Sequence, residues 1–270
     1  MNPLYISNSV LKAALENIYI KWNQPYYIHP DPLEFVHRYS HPLDQEIVGL
    51  LASSLAYGRV QQILKSLETL FDRLGPPAET VLGSPDVDLE LRLSDFKHRF
   101  TTGSQITRLL GRVREAVERF GSLGNFFLSF YDPSEENLIP ALSKFVQALT
   151  EGNDDLKFLI PNPRRGSACK RLFLFLRWMV RKDGVDLGIW PGVDKSKLII
   201  PLDTHMLRIG KEFGWVGNKQ GNLNAAIKIT LGFKSIAPDD PVKYDFALTR
   251  WGIRDDTSTT LAQFLGVDDL

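Results

Sequence analysis

Cysteine is almost missing from this chain, since Cys169 is the only one in 270 residues. A single thiol excludes an internal disulfide, a four-cysteine zinc site and a cysteine-held iron–sulfur cluster. Long apolar runs are missing as well, and no stretch is long and apolar enough to span a bilayer. The opening residues, Met1-Asn2-Pro3-Leu4-Tyr5, lack the basic start and apolar run of a secretory signal, so the expected location is cytoplasmic. Neither sign of charge is in excess, with 32 Lys and Arg against 32 Asp and Glu. That balance argues against a protein that coats nucleic acid by bulk electrostatics. A glycine-rich phosphate loop, a Gly-x-Ser-x-Gly elbow and a His-Glu-x-x-His motif are also lacking, and no cofactor or metal is expected. There is no fixed-period repeat and no low-complexity segment.

What is present is an ordinary globular composition, 43% hydrophobic and 24% charged, which excludes wholesale disorder. The length suits one large domain or two lobes sharing a core. Helical spacing dominates. Asn8 or Ser9 is placed to cap a first helix with Val10, Leu11, Ala14, Ile18 and Ile20 on its apolar positions, ending before Pro25. Residues 26–32 read as an extended loop, after which Asp31 and Pro32 start a short helix through Phe35 and Val36. From His41 to Gly75 the spacing predicts two helices joined by a tight turn at Tyr57-Gly58, stopped by Gly75-Pro76-Pro77. Residues 78–100 are weakly patterned. Helices are predicted over 104–120, 123–131 and 136–149, then over 167–181, whose centre is apolar nearly all round and so belongs in the core. A long loop containing Trp190-Pro191-Gly192 follows. Further helices are predicted from Asp203, over 223–231 and over 242–252, with a polar tail after Arg254. Val, Ile and Thr never alternate convincingly, so the fold class is all-α.

Between Phe158 and Lys182 the charges are all positive: Arg164, Arg165, Lys170, Arg171, Arg177, Arg181 and Lys182. A solvated face is the common meaning of such a run. A focused basic patch for phosphates is the alternative, and the density of apolar residues in the segment favours gathering the charges on one side. Asp203, after Pro201 and before helix-forming residues, reads as an ordinary N-cap. The same position keeps a carboxylate ionised for chemistry, because backbone N–H groups and the helix dipole both favour the anion. Lys170 stands four positions after Gly166 in the first turn of the apolar helix, where a buried ammonium would have a lowered pKa and its neutral form would be a nucleophile. A phosphate contact or a snorkelling side chain competes with that role. His205 reads as a packing or hydrogen-bonding histidine.

Gly166-Ser-Ala-Cys-Lys170 before a buried helix, then Pro201-Leu-Asp203-Thr-His205-Met-Leu-Arg208, then Tyr244-Asp245-Phe-Ala-Leu, together resemble the helix-hairpin-helix DNA glycosylase superfamily. Leu50-Leu51-Ala52-Ser53-Ser54, followed by Val60, is similar to the early helix–turn of endonuclease III, where a side chain enters the duplex as a base leaves. The interval from Lys170 to Asp203 is closer to that of the archaeal 8-oxoguanine glycosylase branch. Where the superfamily carries Leu-Pro-Gly-x-Gly, this chain has Ile160-Pro161-Asn162-Pro163-Arg164-Arg165-Gly166, and Thr249 stands where an aromatic would stack on the base. The chain as a whole also looks like a member of an uncharacterised bacterial family bearing these motifs.

The resemblance implies a two-lobed helical fold, residues 41–182 forming one lobe and 1–40 plus 183–270 the other, with a cleft between them. It implies a base-excision DNA N-glycosylase, with or without abasic-site lyase activity, that acts as a monomer on double-stranded DNA carrying a damaged base, such as an oxidised purine, or an abasic site. Lys170 would be the nucleophile and Asp203 its carboxylate partner. Asp245, Ser54 and Tyr57 would line the base pocket, while Arg164, Arg165, Gly166, Arg171 and His205 would hold DNA phosphates. Two alternatives stay open: a DNA-structure-binding protein of the same fold without catalysis, and an unrelated helical enzyme in which Asp203 is only a cap.

Overall fold

The computed structural model describes residues 7–217, 220–253 and 260–267, without the side chains of 251–253. Among them are fourteen α-helices and one two-stranded ribbon, so the chain is mainly helical. The helices are α1 (Asn8–Trp22), α2 (Leu33–Val36), α3 (Pro42–Ser54), α4 (Val60–Leu74), α5 (Pro77–Gly83), α6 (Asp86–Leu93) and α7 (Gly103–Phe120). They continue with α8 (Leu123–Leu128), α9 (Ile139–Thr150), α10 (Lys170–Val180), α11 (Thr204–Glu212), α12 (Leu223–Lys234), α13 (Asp245–Ile253) and α14 (Leu261–Leu265).

The periodic segments fold as their spacing predicts, and the ends differ for local reasons. The side chain of Ser7, rather than Asn8 or Ser9, caps α1 by accepting the Val10 N–H. Ile20, expected on the apolar face, is exposed in the last turn. The expected loop over 26–32 includes a 3-10 turn at Pro25–Tyr27. The weakly patterned stretch 78–100 holds α5, α6 and the first strand of an antiparallel ribbon, β1 (Lys97–His98) with β2 (Thr101–Thr102). These pieces are too short to show a period. The expected polar tail beyond Arg254 lies outside the described residues up to 259, and α14 then packs on α1.

One continuous apolar core runs through the chain. At its centre is α10, where Leu172 to Val180 are all buried. It lies against α3 at close range: a Cβ on Gly49 would come within 2.8 Å of the Met179 methyl group. Helix α2 also packs on α3, α1 on α13, and α11 on α12 and α13. Burying α10 buries its charges too. Arg177 pairs with Asp186 and Asp245, while Arg181 pairs with Asp183, Asp186 and Asp240, and all of these are inside the protein or nearly so. Each such guanidinium is tolerated only because carboxylates compensate it. The predicted one-sided basic face along 158–182 is therefore corrected, since its two central arginines are interior ion-pair partners.

The long loop after α10 is also pinned by a buried carboxylate of α3. Glu46 on α3 accepts the Leu123 and Gly124 N–H groups at the start of α8 and the Trp190 indole N–H, at 2.9, 2.8 and 2.6 Å. Burial pushes the Glu46 carboxyl up, against the pull of those three donors. None of the described helices is long and apolar enough to cross a membrane.

Candidate active site

Two helix starts meet at the site. The approach to α11 is buried from Leu198 to Leu202, and the Ile200 N–H donates to Thr230 Oγ1 at 3.0 Å. This fixes Asp203 as the N-cap of α11, its Oδ1 accepting the Met206 N–H at 2.8 Å. The approach to α10 is a 3-10 turn at Pro163–Arg165, whose Asn162 cap donates to the Ser143 carbonyl of α9. Gly166 then takes a left-handed φ of +79° that favours glycine, and α10 begins at Lys170, later than the predicted 167. The result brings Lys170 Nζ to 3.0 Å from Asp203 Oδ2.

Burial raises the Asp203 carboxyl, but the Lys170 charge, the Met206 N–H and His205 outweigh it and hold the group below its usual value. Asp203 is thus an anion at neutral pH, both cap and counter-ion. Lys170 is less enclosed than its place in an apolar helix suggests: its side chain keeps 38% exposure against 19% for Asp203. Its position at the first residue of the helix turns it out of the core.

Both residues line a cavity of about 490 Å³ whose walls come from opposite ends of the sequence. Asp31, Tyr57, Gly58, Arg177, His205, Asp245, Thr249 and Arg250 share that lining. Asp245 is buried and ion-paired with Arg177. Burial pushes its carboxyl up to about 6, Arg177 opposing and the nearby Asp203 charge adding to the rise. Arg250 donates to the Tyr27 carbonyl and to Asp31 Oδ2, both at 2.9 Å. Asp31 also accepts the Leu33 N–H at 3.0 Å, but the cap expected at Asp31 is shifted by one residue, since Pro32 is the N-cap of α2 and the helix starts at Leu33.

Of the residues singled out from sequence, Lys170, Asp203, Asp245, Tyr57 and His205 come together around this cavity. Ser54 does not: it is fully buried at the end of α3 and lies outside the lining, so its base-pocket assignment is corrected. Arg171 is corrected as well. Its guanidinium donates to the Ser54 and Phe158 carbonyls at 2.6 and 2.5 Å, which ties α3 to the approach of α10 and leaves those N–H groups no phosphate to hold. Arg164, Arg165 and Gly166 are exposed outside the cavity, and neither arginine has a salt bridge among the described residues. Arg177, Arg250 and Asp31 were not anticipated as lining. For Arg177 the signal was available, because one cation inside an otherwise apolar helix demands a buried counter-ion.

No curated protein and no solved structure matches the chain. A family model matches residues 31–254, a span that includes Lys170, Asp203 and Asp245. The chain belongs to that family, described as "Protein of unknown function (DUF2400)".

Proposed function

We propose that this protein is a DNA N-glycosylase with abasic-site lyase activity, which removes a damaged base, such as an oxidised purine, from double-stranded DNA. The observation that carries the reading is the Lys170–Asp203 pair at 3.0 Å on the wall of the cavity that Asp245 shares. A space of about 490 Å³ is ample for one nucleobase turned out of a duplex. In this reading the fold has two helical lobes, residues 41–182 and 1–40 plus 183–270, and the cavity draws its wall from both.

Asp203, held as an anion, offsets the positive charge that builds on the sugar as the C1′–N bond breaks. It then takes a proton from the Lys170 ammonium, and the free amine bonds to C1′. The departing base takes a proton from the resulting aminium and leaves neutral, and protonated Asp203 returns its proton to O4′ as the sugar ring opens to a Schiff base. Asp203, again a carboxylate, then takes the C2′ proton as the 3′ phosphate leaves by β-elimination. Asp245, with a carboxyl near 6, faces the displaced base as a hydrogen-bond partner.

The test is borohydride trapping on duplexes carrying an abasic site or a common lesion. The wild-type chain is expected to give a covalent adduct that Lys170→Gln abolishes. If no adduct on any substrate depends on Lys170, the Schiff-base chemistry is wrong.

A second reading is a DNA-structure-binding protein without catalysis. It is favoured by the placement of Lys170, whose side chain stands partly exposed in an ion pair with Asp203 rather than enclosed in the core. Asp203→Asn discriminates: binding kept with activity lost marks an enzyme, whereas inactivity of both forms with binding kept marks a binder.

A further inference from the structure

Beside the cavity, the chain exposes aromatic surface that its own fold does not use. Tyr57, in the cavity lining, meets Phe158 edge-on with ring centres 5.3 Å apart, and Phe158 meets Phe100 edge-on at 5.8 Å. The series runs outward, Phe158 being 48% and Phe100 68% exposed. Phe100 stands with Arg99 at the tip of the β1–β2 ribbon, and Arg99 takes a left-handed φ of +51° there.

This tip is anchored. The Tyr57 hydroxyl bonds to the His98 carbonyl and to Thr101 Oγ1, both at 2.8 Å. The buried His98 ring contacts Ser66 Oγ at 2.9 Å and the Tyr57 carbonyl at 3.1 Å. Phe158 is gripped through its carbonyl by Arg171. The exposed rings are thus neighbours on an anchored turn and form one contiguous aromatic surface rather than scattered single residues.

Cations are interleaved with the rings. Arg171 lies 4.9 Å from the centre of Tyr57 and 5.2 Å from that of Phe158, and Arg99 lies 5.6 Å from Phe100. Neither arginine has a salt bridge among the described residues, in a chain whose net charge is zero. A purely apolar partner would match the rings and leave the exposed Arg99 charge uncompensated, Arg171 being committed to the Ser54 and Phe158 carbonyls. Single-stranded or distorted DNA matches both, offering π-faces to the rings and a phosphate to Arg99.

We propose that Phe100 and Phe158 form a stacking platform for an unpaired DNA base next to the cavity, with Arg99 on an adjoining phosphate. The proposal rests on the reading of the cavity as a DNA-processing site. The probe is a labelled duplex with a tetrahydrofuran abasic analogue opposite 2-aminopurine, followed by anisotropy and by 2-aminopurine emission. The wild-type chain is expected to bind and to change the emission. Phe100→Ala and Phe158→Ala should each weaken binding roughly 5- to 150-fold and lose the emission change. Phe100→Trp should restore both, and Leu231→Ala, at an exposed leucine on α12, should behave as wild type. Wild-type binding and emission in both alanine variants overturn the platform and leave the cavity reading standing. A wild-type chain that binds neither this duplex nor an intact one at low salt overturns both.

Discussion

Asp203 divides its carboxylate between two tasks, Oδ1 accepting the Met206 N–H at 2.8 Å and Oδ2 facing Lys170 Nζ at 3.0 Å. The first task belongs to the start of α11 and the second to the proposed reaction. Substitutions can separate them. Asparagine is as good an N-cap as aspartate but carries no charge, so Asp203→Asn should unfold within about 0.5 kcal/mol of wild type. Asp203→Ala loses the cap as well and should cost roughly 1 kcal/mol. Both variants should lose borohydride-trapped adduct by about 100-fold or more. Urea unfolding and trapping check this, and an Asp203→Asn variant that traps like wild type would sink the catalytic role.

A second expectation concerns acid. Asp245 keeps its proton up to about pH 6 when folded, against 3.8 for an ordinary aspartate. Between those values the folded state binds more protons, so this group's contribution to stability is full below 3.8 and lost as pH rises through about 6. The loss is on the order of 3 kcal/mol. Asp245→Asn has no such proton. The stability of wild type relative to Asp245→Asn should therefore fall between pH 4 and pH 7, by urea unfolding at both ends. A gap that stays constant over that range contradicts the environment described for Asp245.

The arginines of the basic stretch should behave in opposite ways. Arg177→Met strands Asp245 inside the protein, leaves Asp186 with Arg181 alone, and should cost about 3–5 kcal/mol, or prevent folding. Arg164→Ala and Arg165→Ala touch only exposed side chains and should stay within about 0.5 kcal/mol. Thermal unfolding of the three variants decides it. Similar losses in all three would mean that the charges of this segment are not divided into interior and surface sets.

Two glycines of α7 provide a test of packing with opposite signs. A Cβ on Gly103 would run into the Leu93 carbonyl oxygen, and backbone cannot yield there, so Gly103→Ala should destabilise by about 1–3 kcal/mol. A Cβ on Gly111 meets nothing nearer than Asp86 Oδ2, at an ordinary 3.6 Å. Gly111→Ala should stabilise by about 0.5–1 kcal/mol through helix propensity and reduced freedom of the unfolded chain. Equal effects at the two positions, measured by chemical unfolding, would be the wrong result.

Much of this protein is determined by local sequence. The three- and four-residue spacing of Ile63, Leu67, Leu70 and Phe71 is enough to specify α4, and the run Leu172 to Leu176 is enough to place α10 in the core. The cap at Asp203 was legible for the same reason, since an acidic residue after Pro201 and before a helix-forming run has one favourable local geometry. Tertiary structure alone decided which charges face solvent. Arg164 and Arg177 look alike in a one-sided basic run, but one ends exposed on a turn while the other is buried between Asp186, from the loop that follows α10, and Asp245, from the distant α13. It also decided that Ser54 and Arg171 serve packing and that Lys170 meets the second oxygen of Asp203. A cap needs only the few residues that follow it. An ion pair between two helix starts needs the whole core to bring them to 3.0 Å.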